Sequence, residues 1–541
     1  MRDTPFFTKY SVHFYLGKLT LLLLFYFSIV SLSFAAGFSH NSDLDRKKST
    51  TDHTKLSILQ GPFNSGIEVT HACLSCHTQA GNQIRQTTHW TWRFNLPNND
   101  QPLGKEVVVN NFCGSPKTNW KKCTICHIGY GWKDPKVKEV SDQMVDCLIC
   151  HEQTQEYTKY SYGYGVLQFK GKIIRKPDFS KIAQSVALPR RRNCGQCHFY
   201  GGGHDGAKHG DLDSSLNSPD YSVDVHMDAD GLNFQCVTCH TAGGHHFTGS
   251  RYLMKAVDHL GVDRPGHTDT TRTSCESCHG EMPHLTNQSL NNHTDRVACQ
   301  TCHIPFLARG GIKTKTFWDW STAGDKNEKG RPIRLKDEDG YPIYSTQHGS
   351  MTWKEDFPPD YYWFNGKMSH TTIFDKLNEK QIVSLNKIGG EASDPQSRIW
   401  PFKTMRGKQP FDPINKNFVI THLNPDNRYD KAAFYKSFDW PKAIEAGMKS
   451  KDAPVYSGQF DFIETAMYFP ITHMVAPKDE ALGCNDCHKK NGRLANLSGF
   501  YMPGRDGFLL VGRLGWFLTL LTVIGVFLHG FTRLFLYYGE K

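Results

Sequence analysis

Sixteen of the 17 cysteines in this 541-residue chain fall into eight Cys-x-x-Cys pairs, and a histidine directly follows every pair. The motifs are Cys73, Cys76 and His77; Cys123, Cys126 and His127; Cys147, Cys150 and His151; Cys194, Cys197 and His198; Cys236, Cys239 and His240; Cys275, Cys278 and His279; Cys299, Cys302 and His303; and Cys484, Cys487 and His488. If histidine followed at its frequency in the chain, eight matches in eight would have odds on the order of one in ten billion. The repetition therefore reflects a chemical requirement.

Two thiols at this spacing can reach the two vinyl groups of one haem, while the adjacent imidazole binds the iron. Paired cysteines also hold zinc, but zinc sites do not need a histidine after every second cysteine. Disulfides are the other alternative for an exported chain, and the same repetition argues against them. The sequence thus predicts eight covalently bound haem c groups.

Eight porphyrins would fill much of the interior, which allows a chain rich in loops, in keeping with 47 glycines and 26 prolines. We predict a mainly α multihaem cytochrome c fold with extensive loops, packed around the haems, plus one C-terminal transmembrane helix. Residues 61–303 form a seven-haem region. Residues 304–505 are predicted to be a helical wrapping segment with the eighth site, and its helical candidates lie near 430–450 and 456–469.

The first 35 residues are typical of a signal peptide, with Arg2, Lys9 and Lys18 before an apolar run over 19–34 and a small-residue cleavage pattern. An uncleaved signal anchor is the alternative. The polar residues 36–60 are predicted to be a flexible spacer.

Near the other end, residues 508–528 carry a single charge, Arg513, and are long enough to cross a bilayer. Residues 506–541 are therefore predicted to be a membrane anchor with a short tail, a buried helix being the alternative. The exported bulk would lie on the periplasmic side of the cytoplasmic membrane. His529 could bind a haem only if a partner helix supplied a second ligand, so a membrane cytochrome b or another quinol-linked donor is a candidate partner.

The formal charge of +10 does not indicate nucleic-acid binding, because eight haems would bring about sixteen propionates. Lysine and arginine are expected to pair with those groups and to guide a small anionic substrate. A homo-oligomer is left open.

Of 27 histidines, eight belong to the motifs, which leaves 19. Electron-transfer haems usually carry a second axial histidine, so most of the 19 are expected to be distal ligands. The favoured candidates are His89, His226, His246, His267, His284, His293 and His473, with His71, His209, His245 and His422 in reserve. Any of them could instead bond a propionate.

Two strings mark a different kind of site. CHFYGGGHDGAKHGDLDSSL places Asp205 and Lys208 three residues apart, and NNFCGSPKTNWKKCTICHIGYGW contains Cys113, the seventeenth cysteine. Together with DRVACQTCHIP and the eight-site count, they make residues 60–505 resemble the octahaem tetrathionate reductase family. The resemblance implies a core similar to that of pentahaem nitrite reductases and hydroxylamine oxidoreductases. The C-terminal helix departs from that soluble family, which leaves the electron donor open.

In that family one haem carries a distal lysine beside a cysteine and an aspartate. The resemblance therefore implies that the haem at Cys123, Cys126 and His127 has Lys208 on its iron, with Asp205 and Cys113 nearby as catalytic residues. The alternatives are a propionate partner for Lys208, a helix cap for Asp205 and an inert buried thiol for Cys113.

The leading functional prediction is a reductase of tetrathionate, or of nitrite or hydroxylamine, at a lysine-ligated haem that receives electrons through haems with two histidine ligands. No motif has lysine in place of its histidine, which disfavours the nitrite reductases defined by that exchange. The alternative is a non-catalytic electron conduit between a quinol-linked membrane partner and periplasmic or extracellular acceptors.

Overall fold

The structure, a computed structural model, describes residues 51–95, 102–112, 115–130, 141–159, 167–169, 172–245, 247–249, 274–280 and 282–539. The predicted signal peptide, Cys113, His246 and His267 lie outside these ranges. All statements about structure below refer to the described residues.

The first half of the described chain is built from short helices joined by loops. They are α1 (Gly66–Leu74), α2 (Ala80–Arg85), α3 (Trp120–Cys123), α4 (Leu148–His151), α5 (Phe179–Gln184), α6 (Arg191–His198), α7 (Cys236–Cys239), α8 (Glu276–His279), α9 (Gln288–His293) and α10 (Cys299–His303). Each attachment motif overlaps a helical turn, and the eighth lies at α13 (Cys484–Cys487). Positions i and i+3 share one face of such a turn, so both thiols of a motif point to the same side.

The predicted spacer does not extend to residue 60. His53–Lys55 and Ser57–Leu59 form two 3-10 turns, and the Asp52 carboxylate accepts a hydrogen bond from the Thr54 amide at 3.1 Å. Leu59 is buried in an apolar cluster with Val69 and Phe179. Burial of this leucine attaches the segment to the helical region.

The prediction of a helical segment over 304–505 is wrong, because eleven strands lie there, and the mainly α fold class is not confirmed. They are β3 (Thr314–Asp319), β4 (Arg334–Lys336), β5 (Pro342–Ser345), β6 (Gly349–Lys354), β7 (Asp360–Phe364), β8 (Met368–His370), β9 (Val383–Ser384), β10 (Asn386–Ile388), β11 (Arg398–Asp412), β12 (Asn417–Phe418) and β13 (Asp461–Pro470), after a β1–β2 hairpin (Leu167–Phe169, Lys172–Arg175). Aromatic and β-branched residues in these runs favour a pleated, half-buried surface over a helix.

Nine strands form one mixed sheet in the order β4-β5-β6-β3-β11-β13-β9, with β7 and β12 also paired to β11, while β8 and β10 form a separate pair. The long strand β11 lies antiparallel to β13 in a register that runs from Phe402 opposite Pro470 to Phe411 opposite Asp461. The strand β13 therefore replaces the helix predicted near 456–469. The other candidate, near 430–450, is confirmed by α11 (Phe434–Ser437) and α12 (Trp440–Met448).

The sheet packs against the helical half through hydrogen bonds between distant parts of the chain. The Asn119 side chain donates to the carbonyl of Thr421 at 3.0 Å, and the amide of Ala298 donates to the carbonyl of Ile399 at 3.0 Å. An apolar cluster that joins Phe112 to Met405 and Phe469 lies beneath these contacts. The two segments therefore form one folded body.

The last helix, α14 (Leu509–Gly539), has 31 residues and packs against no other part of the described chain: over Leu510–Gly539 the buried share is 0%. At 1.5 Å per residue it is about 46 Å long, more than the roughly 30 Å hydrocarbon layer. It is long and apolar enough to cross a membrane, and it covers the predicted span.

Candidate functional site

Seven of the eight motif histidines lie opposite a second imidazole. The ring-centroid distances are 6.4 Å for His77 and His53, 6.2 Å for His151 and His245, 6.3 Å for His198 and His89, 6.1 Å for His240 and His473, 5.9 Å for His279 and His226, 6.2 Å for His303 and His284, and 6.1 Å for His488 and His293. Two metal–nitrogen bonds of about 2 Å, plus the distance from each nitrogen to its ring centre, total roughly 6 Å. Every pair could therefore hold one iron atom between its rings.

The second ring nitrogen of several of these histidines is held by an acceptor. Nδ1 of His151 lies 2.9 Å from the carbonyl of Ala187, and Nδ1 of His240 lies 2.9 Å from the carbonyl of Thr248. Nδ1 of His245 lies 2.9 Å from the side-chain oxygen of Gln83. When Nδ1–H donates to such an oxygen, Nε2 keeps its lone pair for a metal, and the ring is fixed in orientation. The residues thus fit haem iron with two axial imidazoles.

The structure places every favoured distal candidate that it describes opposite a motif histidine: His89, His226, His284, His293 and His473. His245, a reserve candidate, also lies opposite one. Their roles as ligands remain predictions.

The other reserve candidates are placed differently. His422 lies 3.0 Å through Nδ1 from the carbonyl of Thr118 and 2.7 Å through Nε2 from the Asp430 carboxylate, so both its nitrogens are engaged. His209 packs its ring 5.2 Å from that of Phe469. His71 is exposed on α1.

Sequence reasoning missed His53. This residue lies in the stretch interpreted as a spacer, where polar neighbours hid it. The signal that could have found it is the run Leu56-Ser57-Ile58-Leu59 just after it, which is too apolar for a spacer.

The motifs themselves form a continuous series. Thiols from different motifs lie close enough to shift one another's pKa, in the pairs Cys73 with Cys147, Cys126 with Cys197, Cys194 with Cys236, and Cys275 with Cys299. Cys302 lies within electrostatic range of Cys487, Cys239 of Cys275, and Cys150 of Cys194 and Cys197, which connects the remaining motifs. Groups attached at these cysteines would be close neighbours.

His127 is different from the other seven. Its ring is 6% exposed and stacks on Trp92, with the ring centroids 3.4 Å apart and the planes 6° from parallel. Across the described ranges no imidazole lies opposite it at the spacing of the seven pairs. Burial, together with the positive charges of Lys105 and Lys159, lowers the pKa of His127 well below its ordinary value. The second motif therefore has its own histidine but, among the described residues, no histidine facing it.

Lys208 lies beside this motif. Its charge acts on the Cys126 thiol and on His198, the histidine of the adjacent fourth motif. The aliphatic part of Lys208 lies over Gly201, where an added Cβ would come within 3.2 Å of Lys208 Cδ. Gly201 therefore gives this side chain room to lie along the end of α6.

Asp205 does not lie on a helix. Both its carboxylate oxygens are engaged by Ser214, one by the amide at 2.9 Å and the other by the hydroxyl. This contact attaches the glycine-rich loop to the 3-10 turn Ser214–Asn217. Asp205 therefore anchors the loop, a role close to the helix cap named above as the alternative.

Phe112, the residue before Cys113, packs against the same loop. Gly202 has φ +86°, and a Cβ added there would lie 2.6 Å from the Phe112 ring. Only glycine fits this close approach with a left-handed backbone. The chain leading to Cys113 is therefore held next to the segment that carries Lys208.

A chain with eight covalent attachment motifs and seven facing histidine pairs defines a multihaem cytochrome c. The crystal structure of an octahaem cytochrome c from Shewanella oneidensis matches with 39% identity and a TM-score of 0.70, over 83% of this chain and 97% of that one. Residues 315–491 match the family model for bacterial cytochrome c.

An uncharacterized protein of Archaeoglobus fulgidus is 24% identical over 275 residues, which are 40% of this chain and 88% of that protein. The identity to the Shewanella protein, over nearly all its length, shows that this chain belongs to the family of that octahaem cytochrome c. It is a multihaem cytochrome with covalently bound haem c, and the family resemblance found in the sequence is confirmed.

Proposed function

We propose that this protein is an exported, membrane-anchored octahaem reductase in which Lys208 is the distal ligand of the haem attached at Cys123 and Cys126. One observation supports the proposal: seven motif histidines face an imidazole, whereas His127 does not within the described ranges, and the charge of Lys208 acts on Cys126 of its motif. An amine differs from imidazole in its bond to iron, so this one site would behave differently from the other seven.

Lysine binds a metal only as a neutral amine, so its proton must leave when the bond forms. The amine can take up a proton again when it leaves the metal, which makes Lys208 both a removable ligand and a proton acceptor. When bound, the haems would supply one-electron transfer, and the one ligated by Lys208 would supply a coordination position that opens to substrate when the amine leaves. Trp92, stacked on His127, would hold that imidazole in place while the Lys208 amine leaves the metal and returns.

The positive charges of Lys159 and Lys105 near the second motif support the proposal of an anionic substrate. Lys159 is 4% exposed, its Nζ has no hydrogen-bond partner among the described residues, and its charge acts on both Cys126 and Cys197. Exposed Lys105 contributes a second positive charge at Cys126. The charge of buried Asp146 acts on Lys159. The Lys159 ammonium could also attract a further anionic group, whether a carboxylate of the cofactor or an incoming oxyanion.

The proposed substrate is tetrathionate, with nitrite and hydroxylamine as rivals. Two-electron reduction of tetrathionate breaks its central sulfur–sulfur bond and releases two thiosulfates, with no net proton. In this proposal Asp205 holds the loop through Ser214, and Cys113 supplies a thiol able to polarise or attack sulfur. Nitrite and hydroxylamine reduction would also consume protons, for which the Lys208 amine is one carrier.

Electron supply from the membrane is also proposed. The helix Leu509–Gly539 would hold the protein on the periplasmic face, close to a quinol-linked donor or a membrane cytochrome b. His529, on this helix, would meet such a partner inside the membrane. The second candidate function, a non-catalytic conduit, is favoured by the continuous series of attachment motifs, which suits electron transfer in either direction.

The test compares Lys208→Ala with Lys181→Ala in full-length protein loaded with haem. Lys181 is an exposed partner of Glu156 and serves as the matched control. We expect Lys208→Ala to create high-spin haem and to change dye-driven reduction in a panel of tetrathionate, nitrite, hydroxylamine and sulfite. Unchanged spectra and rates would remove the reductase proposal, and an inactive wild type with only bis-histidine spectra would favour the conduit.

A further inference from the structure

Two side chains of the sheet, Lys403 and Thr314, contact four consecutive backbone carbonyls around Lys208. Nζ of Lys403 donates to the carbonyls of Ala207 and Lys208, each at 3.0 Å, and also to the hydroxyl of Thr314. The hydroxyl oxygen of Thr314 lies 2.7 Å from the Gly206 carbonyl and 3.0 Å from the His209 carbonyl. The loop is thus bound to β3 and β11 at every residue from 206 to 209.

The lysine at the centre of this arrangement is completely buried. Lys403 is 0% exposed in the middle of β11, and Thr314 is 1% exposed at the start of β3. Burial and the nearby charge of Lys315 depress the pKa of Lys403, while the charge of Asp211 opposes that shift. An apolar side chain would remove the desolvation cost of this ammonium, so its presence points to a task other than stability.

The loop needs such an attachment because its own backbone is permissive. Gly202, Gly203 and Gly206 have φ values of +86°, +91° and +63°. Glycine-rich segments lose more conformational entropy than others when they become ordered. Without external hydrogen bonds, the loop would sample positions from which a side chain at residue 208 could not reach a fixed point.

We propose that Lys403 and Thr314 are positioning residues that set the reach of Lys208 toward the iron at the second motif. The inference rests on the proposed function and extends it, since it assigns control of the distal bond to the sheet. Nζ of Lys403 contacts the carbonyls of Ala207 and Lys208 and the hydroxyl of Thr314, which fixes the position of the Lys208 main chain.

The test uses full-length protein loaded with haem and the variants Lys403→Met and Thr314→Val, with Lys208→Ala as reference. The matched control is Asn386→Leu, which removes a buried amide that bonds the main chain of Tyr468 elsewhere in the sheet. The readouts are the electron paramagnetic resonance signal of the lysine-ligated ferric haem and its affinity for cyanide. Both report on the distal bond itself, so a purely structural loss would not move them.

We expect Lys403→Met to reduce the lysine-ligated signal and to tighten cyanide binding roughly tenfold, because lost hydrogen bonds to a charged donor weaken the hold on Lys208. Thr314→Val should act in the same direction with a smaller effect. Asn386→Leu should leave both readouts unchanged, even if its unfolding midpoint falls.

The inference is overturned if Lys403→Met keeps the wild-type signal and cyanide affinity while Lys208→Ala changes both. The proposed function would then remain intact. If Lys208→Ala itself keeps the wild-type signal and cyanide affinity, both the inference and the proposed function are contradicted. If Lys403→Met does not fold, Thr314→Val decides, since it keeps the shape of the side chain and removes only the hydroxyl.

Discussion

Asp211 accepts a hydrogen bond from Nδ1 of His473 at 3.1 Å, and the same carboxylate oxygen accepts the amides of Thr472 and His473. Asp211 is 2% exposed. Burial lowers the pKa of His473, but the hydrogen bond and charge of Asp211 outweigh it, so the pKa is raised overall. A buried anion at Nδ1 makes the opposite nitrogen a stronger metal donor.

Asp211→Asn should therefore raise the reduction potential of the haem between His240 and His473, because a neutral partner donates less electron density and no longer favours the oxidised iron. In a spectroelectrochemical titration, one haem component of Asp211→Asn should have a higher reduction potential than in the wild type. Asp213→Asn is the control, since Asp213 is equally buried but hydrogen-bonds to Ser215. An unchanged titration of Asp211→Asn would show that the carboxylate does not tune this site.

Replacing His53 with alanine should leave His77 without its facing imidazole. We expect one haem to change from low spin to high spin, visible in the resonance spectrum and as a new site for cyanide. His71→Ala is the matched control, because His71 lies nearby on α1 but is exposed. A low-spin spectrum identical to wild type in His53→Ala would contradict the placement of His53 as a ligand.

Truncation after residue 507 should release the protein from the membrane without changing its haem spectrum. The removed helix packs against no other described residue, so the haem-bearing body should lose no packing. Fractionation of expressing cells measures the outcome, with the full-length chain as control. Persistence of the truncated protein in the membrane fraction would instead indicate an uncleaved N-terminal anchor.

His348 predicts a pH dependence of stability. Its ring packs against Trp318, Trp320 and Tyr435, and burial together with Lys315 and Arg334 lowers its pKa from 6.5 to about 4. The folded protein binds this proton less tightly than the unfolded chain. The contribution of His348 to the free energy of unfolding is therefore fully present above pH 6.5. It declines as the pH falls toward 4, by up to about 3 kcal/mol.

His348→Gln should remove that part of the acid sensitivity, since glutamine does not titrate and can still bond Ser345. The measurement is the denaturant midpoint of both proteins between pH 7 and 4, loaded with haem. The difference between the two midpoints should narrow as the pH falls. Parallel curves would show that His348 does not contribute to the acid sensitivity.

Much of the fold was not predictable from local patterns. The run Asp461–Pro470 contains Ile463, Ala466 and Met467, which suit a helix as well as a strand, and only pairing with β11 decides between the two. The same holds for Lys403. In the sequence it is an ordinary charged residue, and its burial against the carbonyl of Lys208 becomes visible only when β11 meets the loop.

The sequence by itself determined where the eight attachment sites lie and which histidine each offers, because thioether formation and proximal ligation use residues within one helical turn. Only the tertiary structure decided which histidine faces which. His240 and His473 lie opposite each other although they are 233 residues apart, and no local interaction relates them. It also decided that, within the described part of the chain, His127 has Trp92 and not an imidazole against its ring. Ligands across an iron come from separate segments, so their pairing depends on how the whole chain packs.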